Sequence, residues 1–342
     1  MPLNNLQRAA IEKARVGGTS DWSVPLDDAS SAYLLAVIVR DLGHSARFTD
    51  LPVVKGDYYD QDLAKMKVSG VDFWKSLSRL VDLDANADSY FTCLAKLHRS
   101  RLKYAAILER QAFPTMNQVG PRGLLQFGTM SPPALTALLF WRKWLFDIDN
   151  RAAQETGYLF EPILAAAVSG TPVSATKSPI RRQSDPKKGR QVDCIRGKTA
   201  YEFKLRITIA ASGQGRWQEE LDFATDASAS GYKPILVVFD DTENDKLTAI
   251  VKKFREEGGE VHMGQRAWDH LDEVAGPTMA RFIDRYVRRP IQAMLAAVPN
   301  LDQIPPLKLS VHGETLTFAL GTEEVNITRR PAEPDNPDDG DE

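Results

Sequence analysis

Residues 200–209 read Ala-Tyr-Glu-Phe-Lys-Leu-Arg-Ile-Thr-Ile. Tyr201, Phe203, Leu205, Ile207 and Ile209 fall on one face at the two-residue period of a strand, and Glu202, Lys204, Arg206 and Thr208 fall on the other. The alternation predicts a half-buried strand with one apolar and one charged face. Charged faces are poor strand material unless something outside the sheet uses them. Nine residues before Glu202 stands Asp193, in Arg-Gln-Val-Asp-Cys-Ile (190–195), with Arg-Gly-Lys-Thr (196–199) as the turn between. A hairpin of that length sets Asp193 beside Glu202, with Lys204 two residues further along the same face. Two carboxylates and a lysine on one sheet surface suit a divalent cation and a positioned nucleophilic water.

The acid-x-Lys triplet proves nothing by itself, because it occurs twice: Glu202-Phe-Lys204 and Asp185-Pro-Lys187. Context separates them. Pro186 and Gly189 break any regular element around the second, so 181–190 reads as loop. The flanks of the first build an α/β order. Residues 158–168 are apolar and helix-competent, and Glu161, directly before Pro162, is placed at the helix start, where the dipole favours a carboxylate. Residues 213–216 read as a loop and 217–230 as a helix capped by Gly231. Residues 234–239 are a continuous apolar run, typical of a strand buried on both faces. A weak extra strand is expected at 173–180.

This order resembles the PD-(D/E)XK nuclease superfamily, whose core is a helix, a three-stranded meander, a helix and a further strand. Asp193 matches the first motif acid, Glu202 the second and Lys204 the lysine; Val192 replaces the proline that names the motif. The resemblance covers roughly 155–265. Within the superfamily the chain is most similar to the ApaLI-type group of type II restriction endonucleases. Ser-Pro-Ile-Arg-Arg-Gln-Ser-Asp-Pro (178–186), Gly-Arg-Gln-Val-Asp (189–193) and the run from Tyr201 to Trp217 carry that likeness. The resemblance implies Mg²⁺, with Mn²⁺ able to substitute, held by Asp193 and Glu202 with the backbone carbonyl of residue 203, and by Glu161 from the preceding helix. Lys204 is then expected to orient or activate the attacking water. It further implies sequence-specific cutting of both strands of double-stranded DNA, a homodimer, and a cognate DNA methyltransferase as functional partner. The alternatives are a less specific repair or structure-specific nuclease, or a non-catalytic DNA-binding protein on a nuclease core.

Charge supports a nucleic-acid partner once its distribution is read. The 342 residues carry a net −3, but residues 331–342 hold six acids and no base; without them the balance is +3. Three prolines in that tail and its charge predict disorder. Between 177 and 190, Lys177, Arg181, Arg182, Lys187, Lys188 and Arg190 face a single acid, Asp185. A cationic segment beside a carboxylate cluster is what a phosphodiester enzyme needs; its other reading is a solvated charged loop. Arg206 and Thr208 lie on the charged strand face, suited to flanking phosphates. Ser212, Gln214 and Arg216 are candidates for groove contacts beyond it.

The N-terminal half reads as mainly helical (28–42, 71–83, 89–110 and 131–146, the last capped by Ser131 with Pro132 in its first turn). Residues 111–128 carry Asn117, Gln118 and Arg122, residue types that read adenine and guanine edges, or else form a plain connection. Further elements are expected at 245–257 (helix), 260–263 (strand), 275–294 (a helix with Arg281, Arg285, Arg288 and Arg289) and 307–320 (a hairpin about His312-Gly-Glu). The domain reading is 1–150 for recognition and dimerisation, 151–300 for the nuclease core, 301–330 for the hairpin and 331–342 for the tail. Cys93 and Cys194 read as reduced core residues. The five histidines show no ligand spacing, and Gly213-Gln-Gly lacks the lysine of a phosphate loop. The longest apolar run, 33–39, is far short of a membrane span, and the first residues lack secretory character. The expectation is a cytoplasmic, prokaryotic protein.

Overall fold

The structure, a computed structural model, describes residues 3–17, 24–205, 214–240, 242, 245–297 and 300–330. The chain forms two compact units: one comprises Met1–Arg15, Leu26–Lys96 and Gly157–Pro290, the other Val16–Pro25, Leu97–Thr156 and Ile291–Glu342. Helices α1 (Asn5–Val16), α2 (Asp28–Asp41), α3 (Phe73–Leu83), α4 (Ala87–Arg110), α5 (Met116–Val119) and α6 (Pro132–Ala167) precede the main sheet. α4 and α6 contribute residues to both units. The start of α2 is set by Asp27, whose carboxylate accepts the Ser30 N–H at 2.7 Å. Leu34, Leu35, Val37 and Ile38 are all buried, so α2 is a core helix rather than a surface one.

The first unit holds a five-stranded mixed sheet in the order β1 (Thr171–Val173), β2 (Val192–Arg196), β3 (Thr199–Lys204), β4 (Lys233–Val238) and β5 (Glu260–Met263). The pairs β1–β2 and β2–β3 are antiparallel; β3–β4 and β4–β5 are parallel. Parallel neighbours need crossovers, and α7 (Gln214–Ala229) and α8 (Asp245–Glu256) lie between them in the chain. Phe223, Ala224 and Ala227 of α7 and Leu247, Ile250 and Phe254 of α8 pack with Ala200, Leu236 and Val238 of the sheet. The other face of β3 carries Tyr201 and Phe203, stacked at 5.6 Å, and Tyr201 lies against His270 of α9 (Gln265–Val274). β3 is thus covered on both sides, not half-buried with a free charged face. Its expected continuation through 205–209, with Arg206 and Thr208, lies outside the described strand; residues 206–213 are outside the described residues.

α10 (Pro277–Ile283), a π-helical turn (Asp284–Arg288) and α11 (Arg289–Ala297) occupy the span expected as one helix. The buried Asp41 accepts the Tyr90 hydroxyl at 3.1 Å and also that of Tyr286, and Arg285 pairs with it at 3.1 Å. Arg281 donates to the Asp41 carbonyl, Arg288 pairs with Asp272 and Arg289 with Asp284. These four arginines are bound to the chain's own acids and carbonyls.

The second unit carries an antiparallel sheet of β6 (Leu307–His312), β7 (Thr315–Leu320) and β8 (Glu323–Thr328). The expected hairpin is β6–β7, turning at Gly313 (φ 59°); β8 adds a third strand. Trp144, Ile107 and Ile148 pack with Leu316 of β7 as this unit's core.

α6 corrects one expectation directly. It runs unbroken for 36 residues with Pro162 inside it, so Glu161 stands within a helix and not at its start. Proline removes the bond to the carbonyl four residues back, at Tyr158. Tyr158 is exposed, so water can satisfy that carbonyl, while Ile163, Leu164, Ala165 and Ala167 are buried and hold the last turns in place. The strand expected at 173–180 is only Thr171–Val173, followed by a 3₁₀ turn (Ala175–Lys177).

Candidate active site

The β2–β3 register is Cys194↔Tyr201, Ile195↔Ala200 and Arg196↔Thr199. Continued by one pair, it puts Asp193 opposite Glu202, on the face that also carries Lys204. The turn is Gly197–Lys198, and Gly197 has φ 57°, a left-handed position that glycine takes without strain. Parallel pairing sets Glu202 beside Leu236 and Lys204 beside Val238.

Asp193 Oδ2 accepts the Phe203 N–H at 2.9 Å. Lys204 Nζ donates to Glu202 Oε1 at 2.8 Å and to Glu220 Oε1, on α7, at 3.2 Å. The side chains of Lys204 and Glu202 are 22% and 17% exposed. Glu161 lies near enough for Glu202 and Lys204 to act on its carboxyl: burial first, then the charge of Glu202, raises its pKa, with Lys204 opposing. Burial and the charges of Glu202 and Glu161 push the Asp193 carboxyl well above the usual carboxylate range, against the Phe203 hydrogen bond. Burial works against a charged Lys204, but Glu202 and Glu220 outweigh it and hold the ammonium above its ordinary range. Two carboxylates, Glu202 and Glu220, therefore hydrogen-bond the ammonium, and Asp193 and Glu161 lie within its electrostatic reach. No three His, Cys, Asp or Glu side chains among the described residues converge as a metal-holding group. The donors are nonetheless all hard oxygens with a surplus of negative charge, and burial followed by mutual repulsion raises two of them; this chemistry fits a divalent cation of the Mg²⁺ type.

The basic segment divides. Arg181, Lys187 and Lys188 are exposed and, with Arg182, Ala175, Thr176 and Gly189, line a cleft of about 520 Å³. Lys177 is exposed on the preceding turn. Arg190 is different: it is 5% exposed, pairs with the buried Asp226 of α7, and donates to the Glu219 carbonyl at 2.8 Å. It is a structural cation, not a free phosphate contact. Arg182 pairs with Glu219, and the Gln183 N–H donates to Asp226 at 2.7 Å. Gly189 closes this loop where any side chain would collide: a Cβ there would lie 2.1 Å from the Ala175 carbonyl oxygen.

Gln214 and Arg216 belong to the first turn of α7, not to a loop; their side chains are outside the described residues. In the second unit the Gln118 amide closes a capping box with Thr115, accepting its N–H at 2.8 Å, and Arg122 donates to the Gln118 carbonyl at 2.7 Å. Asn117 is exposed. Local hydrogen bonds thus occupy two of the three candidate base-readers.

Sequence reasoning missed Glu220, Glu219 and Asp226. The available signal was Asp226 itself, an acid set among Phe223, Ala224 and Ala227 on a helix's apolar stripe, which calls for a buried cationic partner. It also missed that His262 and His270 stack, with centroids 3.9 Å apart.

A mixed five-stranded sheet flanked by helices, with acids and a lysine at its β2–β3 hairpin, is the fold class of restriction-endonuclease-like proteins. The family model of ApaLI-like restriction endonucleases matches residues 56–288. The chain is 47% identical over 364 aligned positions to the type II restriction enzyme ApaLI of Acetobacter pasteurianus, covering 96% of each chain. It belongs to the ApaLI-like restriction endonuclease family. No solved structure matches the chain. No helix among the described residues is long and apolar enough to cross a membrane.

Proposed function

We propose that the protein is a type II restriction endonuclease of the PD-(D/E)XK superfamily, cutting both strands of a short, specific DNA site by metal-dependent phosphodiester hydrolysis. The observation that carries this reading is the hairpin register that sets Asp193 opposite Glu202 with Lys204 on the same face, in a chain so similar to a named type II restriction enzyme. Asp193 and Glu202 would hold Mg²⁺ or Mn²⁺, with the carbonyl of residue 203 and Glu161 as further oxygen donors. When bound, the cation would polarise the scissile phosphate and neutralise charge developing on it. Lys204 orients the attacking water and adds positive charge beside the phosphorane. Arg181, Lys187, Lys188 and Lys177, with Arg182 in part, hold the flanking backbone and so position the duplex. Arg206, Thr208, Gln214 and Arg216 follow the site in the chain and are candidates for further DNA contacts; Asn117, Gln118 and Arg122 are the candidates for recognition.

Each chain carries one such site, so a double-strand cut at a palindrome calls for two copies related by a two-fold axis, a homodimer. A cognate DNA methyltransferase would protect the host's own sites, in a prokaryotic cytoplasm. Digestion of a plasmid of known sequence in Mg²⁺, with fragment ends sequenced, tests the reading. Discrete fragments sharing one terminal sequence are expected; a smear or random ends would refute sequence-specific cutting.

A further inference from the structure

Among the described residues Lys204 has two hydrogen-bonded anionic partners, and the proposed chemistry draws one of them away. Glu202 Oε1 lies 2.8 Å from the ammonium, yet the reading above needs that carboxylate for the cation. An ammonium on a four-carbon stem is a mobile point charge unless something holds it. The remaining partner is Glu220, at 3.2 Å and 32% exposed. It arrives on α7, and α7 is tied down: Asp226, 1% exposed, takes Arg190 and the Gln183 N–H. Consecutive helical residues point about 100° apart, and here the two acids part company. Glu219 turns to Arg182 and Arg190 of the basic segment, while Glu220 turns to Lys204.

We infer that Glu220 is a positioning residue, the partner that keeps the Lys204 ammonium in place once Glu202 serves the cation. The inference rests on the proposed active site and adds a residue to it. Glu220 acts through the lysine and not on the phosphate. Glu219, one residue away, serves the DNA-binding segment instead. Substitutions of Glu220 should therefore move the rate and leave binding unchanged.

The test uses full-length Glu220→Gln, Glu220→Ala and Glu219→Gln, with Lys204→Ala and Glu202→Ala beside them. Single-turnover cleavage in Mg²⁺, DNA binding in Ca²⁺ and the unfolding midpoint without metal are read for each. Glu220→Gln keeps an oxygen acceptor and should slow single-turnover cleavage about tenfold to a hundredfold, the usual loss for a supporting partner; Glu220→Ala should be slower still. Both should bind DNA and unfold as wild type does. Glu219→Gln should change DNA binding and its salt dependence, the readout that Glu220→Gln leaves at wild type. In a crystal of metal-free Glu202→Gln, Lys204 Nζ should remain within hydrogen-bond reach of Glu220. Wild-type cleavage by Glu220→Gln would overturn the inference, as would a displaced Lys204 in that crystal. Full rescue of Glu220→Gln by raised Mg²⁺ would make Glu220 a metal donor. Joint loss of binding and stability would make it a brace of α7. Either result also overturns the positioning role. If Lys204→Ala and Glu202→Ala are inactive while Glu220→Gln is normal, this inference alone fails. If either of those two cleaves normally, the active-site reading itself fails and takes this one with it.

Discussion

Replacing Arg181, Lys187 and Lys188 together by glutamine should lower DNA affinity through the salt-dependent contribution alone. The three side chains are exposed around one cleft. Among the described residues, only Lys188 of the three has an acidic partner, Asp185 at 3.4 Å with the lysine 75% exposed, a pairing too solvated to compete with a phosphate. Each cation that neutralises a phosphate contributes about 0.9 to the slope of log affinity against log salt. Three lost contacts therefore flatten the slope by about 2.7 units. Between 50 and 200 mM salt the wild-type protein should lose roughly 40-fold more affinity than the variant. Arg190→Gln is the internal contrast: its guanidinium is buried against Asp226 and Glu219, so it should leave the slope unchanged while lowering stability. Fluorescence anisotropy of labelled duplexes in Ca²⁺ across a salt series measures both, using one duplex with the mapped site and one scrambled. An unchanged slope in the triple variant would refute the phosphate assignment, and a flattened slope for Arg190→Gln would refute its burial. A loss confined to one sequence would show that these residues read bases.

Asp226→Ala should cost about 3–5 kcal/mol in denaturant unfolding, because it strands the buried Arg190 guanidinium; a change under about 1 kcal/mol would show that water reaches the pair. Burial, then the neighbouring His262, holds His270 down to about 4 in the folded chain, below its ordinary value of about 6.5. The folded state thus binds fewer protons, so this contribution is complete above pH 6.5 and is lost as pH falls from there towards 4, by about 2–3 kcal/mol at most. His270→Leu should flatten stability over that window relative to wild type, and an unchanged profile would show that His270 is not a source of it. Truncation after Arg330 should leave cleavage equal or slightly faster at low salt, since it removes six acids and no base; loss of specific cleavage would make the tail a structural element.

The hairpin and its acids were legible because they depend on local spacing. A turn at 196–199 and a period of two are enough to bring Asp193 to Glu202. β4, β5, α2 and α8 were readable for the same reason, as runs of consistent pattern with a stop signal. What was not legible came from partners distant in the chain. Arg190 reads as one more surface cation until Asp226, 36 residues on, takes it, and Glu220 meets Lys204 only because α7 folds back over β3. α6 hid its continuity because Pro162 is a local stop signal, overridden by the burial of Ile163 and Leu164. The β3 face was misjudged because alternation reports polarity and not cover: Ala200 shares the face of Glu202 and is fully buried under α7 and α8.

The most direct test of the central claim is plasmid cleavage by Lys204→Ala and Glu202→Ala beside wild type, in Mg²⁺, with specific DNA binding followed in Ca²⁺. The account predicts that both variants bind the site and stay folded while cleavage falls to background, and that wild type yields discrete fragments. Near-normal cleavage by either variant would contradict it, because the chemistry would then lie elsewhere than on the paired β2–β3 face.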